Sequence, residues 1–152
     1  MDPRVASLQT PKDCEAFARN AIARDRDDLA IEAGQREVEL RAISYGACSD
    51  VERECIEAVY AYERVLAEKN GKRTPASRTW DMIKRRGIIA AVERIVDRPV
   101  VTVAFDVLKK AGLARFAFEA VIARHPEVFS ESAVRRSRER MRHDANESSL
   151  SS

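Results

Sequence analysis

Residues 49–71 read SDVERECIEAVYAYERVLAEKNG. Ser49 and Glu52 form a capping box, in which the two side chains satisfy free backbone amides at a helix start. Apolar residues then recur every three or four positions, as one buried face of a helix requires; they are Val51, Cys55, Ile56, Ala58, Val59, Tyr62, Val65 and Leu66. Asn70-Gly71 tolerates the left-handed backbone that ends many helices. This stretch therefore predicts a long amphipathic helix.

Similar signals recur on both sides of this helix. Thr10-Pro11 and Thr74-Pro75 combine a capping hydroxyl with a proline in the first turn, which is typical of a helix start. Residues 100–106 are rich in β-branched side chains, but their apolar spacing fits a helix and a lone strand has no partner in the chain. We therefore predict a compact all-α bundle of about eight short-to-medium helices, in which N-terminal antiparallel hairpins pack on a C-terminal helical group.

Length and composition indicate one domain. The chain has 152 residues, and we expect a flexible arm at 1–9, a single all-α domain at 10–143 and a disordered polar tail at 144–152. The longest stretch without a charge, 42–49, is too short to cross a membrane. No secretory signal is recognisable, so we expect a cytoplasmic protein. An odd number of cysteines then predicts reduced thiols, with Cys14 and Cys55 buried on apolar stripes.

Two segments resemble a known helical repeat. ARDRDDLAIEA at 23–33 and EAVYAYERVL at 57–66 are similar to parts of a tetratricopeptide hairpin. However, Gly34 stands where that family usually has an aromatic residue, and Ala30 and Ala58 are 28 residues apart rather than about 34. We interpret these segments as antiparallel helical hairpins, in which Gly34 allows a neighbour to approach the backbone closely.

A second resemblance is to the helix-turn-helix motif. Its apolar and glycine positions match Val107, Ala111, Gly112, Leu113, Phe118 and Val121. Leu108 stands where a small residue is usual, and the second helix offers almost no polar side chain that can read base edges. We therefore interpret 107–121 as two core helices joined by a glycine turn.

The charge is unevenly distributed along the chain. The net charge is only +2, yet residues 1–68 hold 9 Lys/Arg and 15 Asp/Glu, whereas 69–86 hold seven basic residues and one acid. Cations beside a helix start favour phosphate groups. The candidate phosphate contacts are Lys72, Arg73, Arg78, Lys84, Arg85 and Arg86. Trp80 lies among them, either as a core residue or as a platform on which a base stacks.

No catalytic or metal-binding motif is recognisable in the sequence. It lacks a Gly-rich phosphate loop, His-Glu-x-x-His and Gly-x-Ser-x-Gly, and we expect neither an enzyme nor a cofactor nor a bound metal. The leading hypothesis is a small non-enzymatic nucleic-acid-binding protein that uses residues 69–86, with DNA and RNA both open. The alternative is a helical adaptor or regulatory protein that binds a protein partner through its acidic N-terminal hairpins, with Tyr45 or Tyr60 exposed. Pairing of the basic segment with a second copy, in a homo-oligomer, also stays open.

Overall fold

The computed structural model of the chain describes residues 1–98 and 104–150, with side chains described for 1–98 and 105–142. Within these ranges every regular element is helical, which confirms the all-α prediction. The α-helices are α1 (Pro3–Ala6), α2 (Pro11–Ala23), α3 (Asp27–Tyr45), α4 (Asp50–Asn70), α5 (Ser77–Arg86), α6 (Ile88–Asp97), α7 (Ala104–Lys110), α8 (Phe118–Arg124) and α9 (Glu131–Leu150). A short 3-10 turn at Ala114–Phe116 precedes α8. None of the described helices is both long enough and apolar enough to cross a membrane.

Two of the predicted helix starts are capped as expected. The Thr10 hydroxyl accepts a hydrogen bond from the Asp13 amide at 3.1 Å, and the Ser49 hydroxyl accepts one from the Glu52 amide at 3.2 Å. Each bond satisfies one of the amides that have no partner within the helix. The capped start and the left-handed Gly71, at φ +70°, delimit α4 as predicted.

The third predicted start is wrong. Helix α5 begins at Ser77, after an N-cap at Ala76, rather than at Thr74. The Thr74 hydroxyl donates to the Lys72 carbonyl at 3.0 Å and accepts from the Asn70 amide group at 3.1 Å. Because these bonds fold the loop after α4, the hydroxyl is not available to cap a helix.

Helix α4 lies at the centre of the molecule. Its Cys55 and Ala58 pack with residues of α6, α8 and α9, and its Ala61 and Val65 pack with α3, α7 and the 3-10 turn. A third cluster joins α4 to α3, α5 and α6, with Ile56 at its centre. One helix thus contributes to all three clusters of the core, as its unbroken apolar stripe requires.

Parts of both chain ends are helical. Residues 3–6 form helix α1, whose Val5 is fully buried, because α1 packs on α3. Helix α9 continues to Leu150, since no glycine or proline interrupts it after Glu131. Of the predicted helix at 100–106, positions 100–103 lie outside the described residues and 104–106 are helical.

The glycine turn after α7 is a core connection, as predicted. Gly112 has φ +74°, a conformation that other residues rarely adopt. A Cβ atom at this position would also lie 2.5 Å from Cγ2 of Ile31. The flanking Leu108 and Leu113 are buried, so the turn lies within the packed core.

Candidate nucleic-acid interface

The six predicted phosphate contacts all lie on the surface. Lys72 and Arg73 belong to the loop between α4 and α5, Arg78 lies in the first turn of α5, and the run 84–86 forms its last turn. All six residues are exposed. In the part of the chain that the structure describes, none of their side chains forms a hydrogen bond or an ion pair.

The geometry of α5 places two of the six cations on the same side of the helix. Arg78 and Arg85 are seven residues apart, so they lie on the same side of α5 and about 10.5 Å apart along its axis. Asp81 stands between them at helical neighbour spacing and lowers the local positive charge. Cations in the last turn of α5 also stabilise the helix by interacting favourably with its dipole. This stabilisation does not require a bound ligand.

Trp80 anchors α5 to the core. Its ring is half-buried and lies against Tyr45, at a centroid distance of 5.7 Å, and against Tyr60, at 5.2 Å. The indole Nε1 donates to Oε2 of Glu63 at 2.7 Å, and the same oxygen accepts from the Ala76 amide at 2.8 Å. Two rings and a carboxylate therefore hold Trp80, and the packing role is the one that the structure supports.

The carboxylates of α3 and α4 are largely engaged within the molecule. Glu37 is buried and pairs with two arginines, Glu39 pairs with Arg115 at 2.7 Å, and Glu54 pairs with Arg124 at 2.8 Å. Of the two tyrosines expected to be exposed for protein binding, Tyr45 is exposed and Tyr60 is half-buried against Trp80. The acidic hairpins thus present less free charge than their composition predicts.

The six predicted phosphate contacts form a basic surface, and a groove that the sequence did not predict adjoins it. It has a volume of about 580 Å³ and is bordered by α2, α3, α4 and the loop at 71–74. Lys72 and Arg73 line it together with Arg19, Arg41 and Arg64. These arginines come from three helices and share no sequence motif. Gly34 was the only local signal, since its bare backbone lies against the Arg64 guanidinium.

The chain matches no protein-family model, no curated protein and no solved structure. A function therefore has to rest on the geometry and charge of the molecule itself.

In the described part of the chain, the cysteines and the other metal-ligating side chains do not assemble a site of their own. Cys14 and Cys55 are buried, as predicted, and all three cysteines are free. Burial raises the pKa of the Cys14 thiol to about 11 and that of Cys55 to about 12, so neither is a thiolate at neutral pH. Among the described residues no group of three or more His, Cys, Asp or Glu side chains is arranged to hold a metal ion.

Proposed function

We propose that this protein binds nucleic acid through α5 and the loop before it. Lys72, Arg73, Arg78, Lys84, Arg85 and Arg86 would contact the phosphates. The observation that carries the proposal is a contrast in pairing. These six cations are exposed and have no side-chain partner in the described ranges, whereas the carboxylates of α3 and α4 are mostly bound to arginines and amides of the same chain.

The scaffold supports this proposal because α5 is held firmly. Met82 and Ile83 are buried, and Glu63 binds both Trp80 and the Ala76 amide at the start of the helix. The roughly 10.5 Å between Arg78 and Arg85 corresponds to about three base-pair steps of a duplex. Helix α5 carries no asparagine or glutamine to read adenine edges. We expect the cations of α5 to contact phosphates, and the only base edge that its arginines and lysine are suited to read is that of guanine.

The experiment that tests this proposal replaces Lys84, Arg85 and Arg86 with alanine together. Binding of duplex and single-stranded probes should fall for every sequence tested. The magnitude of the salt slope should drop by roughly one for each lost phosphate contact, because fewer counterions are released. Fluorescence anisotropy at two or more salt concentrations measures both effects. The circular dichroism spectrum should be unchanged, since the three side chains are exposed.

A matched control removes the same charge elsewhere. Lys12, Arg24 and Arg94 are exposed and without side-chain partners among the described residues, and they lie outside α5 and its loop. Their joint replacement by alanine should lower affinity much less than the α5 variant does. A folded α5 variant that binds like the parent, with the same salt slope, would contradict the proposal. A parent protein that binds no probe would favour the adaptor hypothesis instead.

A further inference from the structure

The groove beside the basic surface has two helices as walls and a third as its floor. Helices α2 and α4 both pack on α3, and a space of about 580 Å³ remains between them. Arg19 lies on the α2 side, Arg41 on the α3 floor, and Lys72 and Arg73 at the end of the α4 side. Cations therefore border the groove on three sides.

A buried carboxylate holds two arginines in this groove. Glu37 is only 5% exposed; its Oε1 accepts from Nη1 of Arg64 at 3.0 Å, and its Oε2 lies 3.5 Å from Nε of Arg41. Nη2 of Arg41 also donates to Glu15 at 3.2 Å. A guanidinium has five N–H donors, so both arginines keep donors that these bonds do not use. Their positions are set before any ligand arrives.

The unpaired charge of the groove is positive. Arg19, Lys72 and Arg73 line it without a side-chain partner in the described part of the chain. Two lining carboxylates oppose these three cations: Glu68, which likewise has no partner there, and Glu63, which keeps its charge because it accepts only from the neutral Trp80 and Ala76 donors. The Arg41 and Arg64 charges are balanced by Glu15 and Glu37. An anion complements what is left.

We propose that this groove binds a phosphate monoester of a nucleoside. A phosphate monoester carries nearly two negative charges and three acceptor oxygens, which suits donors on several sides better than a single carboxylate does. The volume is far larger than inorganic phosphate needs and lies in the range of small-molecule sites. Ile22 and Tyr60 in the lining offer apolar surface to the organic part. The ligand is either a free nucleotide or the phosphorylated end of a strand.

The inference goes beyond the proposed function of α5. Residues 84–86 do not line the groove, whereas Lys72 and Arg73 belong to both surfaces. A strand bound along α5 can therefore reach the groove, but a free nucleotide can also bind there without α5. The two proposals are separable by experiment because they differ in the cations that each requires.

The test titrates the full chain with adenosine monophosphate, adenosine and inorganic phosphate. Trp80 is the only tryptophan, and it contacts two groove residues, Tyr60 and Glu63, so its fluorescence reports on the groove; calorimetry provides an independent measurement. The monophosphate should bind at least about tenfold more tightly than adenosine, since it gains charge-assisted hydrogen bonds. It should also bind more tightly than inorganic phosphate.

Arg19 lies in α2 and Arg24 is the C-cap of that helix, and the two residues provide a matched pair of variants. Arg19→Gln should weaken binding of the monophosphate at least about tenfold. Arg24→Gln removes an equally exposed charge outside the groove and should leave binding unchanged. The α5 triple variant should retain it. Equal affinity for monophosphate and adenosine, or equal binding by the two glutamine variants, would overturn the inference while leaving the oligonucleotide results to decide the function of α5.

Competition identifies the source of the phosphate. A 5′-phosphorylated oligonucleotide that displaces the monophosphate, when its 5′-hydroxyl counterpart does not, assigns the groove to a strand end. If the monophosphate binds and neither oligonucleotide displaces it, the ligand is the free nucleotide. Either result supports the phosphate monoester site.

Discussion

Gly34 shows at the residue scale how one missing side chain shapes the groove. It lies inside helix α3, where glycine costs about 1 kcal/mol relative to alanine. A Cβ atom there would lie 2.7 Å from Nε of Arg64, whose guanidinium crosses the helix to reach Glu37 at 3.0 Å. The glycine thus gives the Arg64 guanidinium room to lie against α3 on its way to Glu37.

The Gly34→Ala substitution should therefore destabilise the parent protein but stabilise an Arg64→Ala variant. In the parent, alanine displaces Arg64 and loses a charged hydrogen bond of about 1.5–3 kcal/mol, which exceeds the gain in helix propensity of about 1 kcal/mol. In an Arg64→Ala background the same change should stabilise the protein by about 1 kcal/mol. Urea unfolding of the four proteins measures this cycle. Destabilisation in both backgrounds would show that the Arg64 contact is not the reason for the glycine.

At the scale of elements, one carboxylate adds polar bonds to the apolar packing between α4 and α8. Glu54 accepts hydrogen bonds from Arg124 and from His125 at the end of α8. Burial raises the pKa of Glu54, but the bonds from His125 and Arg124 outweigh it and hold that pKa below its ordinary value of 4.5. The ionised carboxylate is therefore favoured by folding. Its neighbour Glu57 is half-buried and lacks such bonds, and partial burial raises its pKa.

These opposite shifts predict opposite effects of two glutamine variants on the same helix. A carboxylate whose pKa is lowered by folding stabilises the folded state above pH 4.5. This stabilisation is lost as the pH falls through the pKa of the folded state. Glu54→Gln should thus lower the melting temperature at pH 7, and the difference should shrink by pH 3. Glu57→Gln should raise the melting temperature at pH 7, because it removes the cost of a buried charge, and this gain should also vanish in acid. Thermal melts across this range test both signs, and a constant difference at every pH would contradict the assignment.

The whole molecule is organised around α4, which contributes to all three core clusters. Since no cluster is complete without it, we expect the described helices to unfold together. Circular dichroism, which follows all helices, and Trp80 fluorescence, which follows α5, should give the same transition.

Ile56→Ala tests this cooperativity. Ile56 is fully buried, so the variant should lose about 2–5 kcal/mol while its two transitions stay coincident. Ile43 on α3 is 61% exposed, and Ile43→Ala should change stability by less than about 0.5 kcal/mol. Separate midpoints for the two probes would show that the clusters unfold independently.

The structural features that the sequence predicted correctly have local causes. The helices that begin at Thr10 and Ser49, and the buried positions of Cys14 and Cys55, were predictable because caps and apolar spacing act within a few residues. Ile22 lies at helical spacing from Cys14 and Ala18, yet it is 59% exposed. Helix α2 packs mainly on α3 alone, so the edge of its stripe stays uncovered.

The sequence by itself thus determined the helical class, the start of α2, both ends of α4 and the concentration of cations between 69 and 86. Only the tertiary structure decided that those cations have no side-chain partner among the described residues while most carboxylates of α3 and α4 do. It alone brought Arg19, Arg64 and Lys72 to one groove. The physical reason is the distance along the chain between the residues that interact. A cap or an apolar stripe is complete within one helix. Pairs such as Glu39 with Arg115 or Glu37 with Arg64 form only when separate helices pack together.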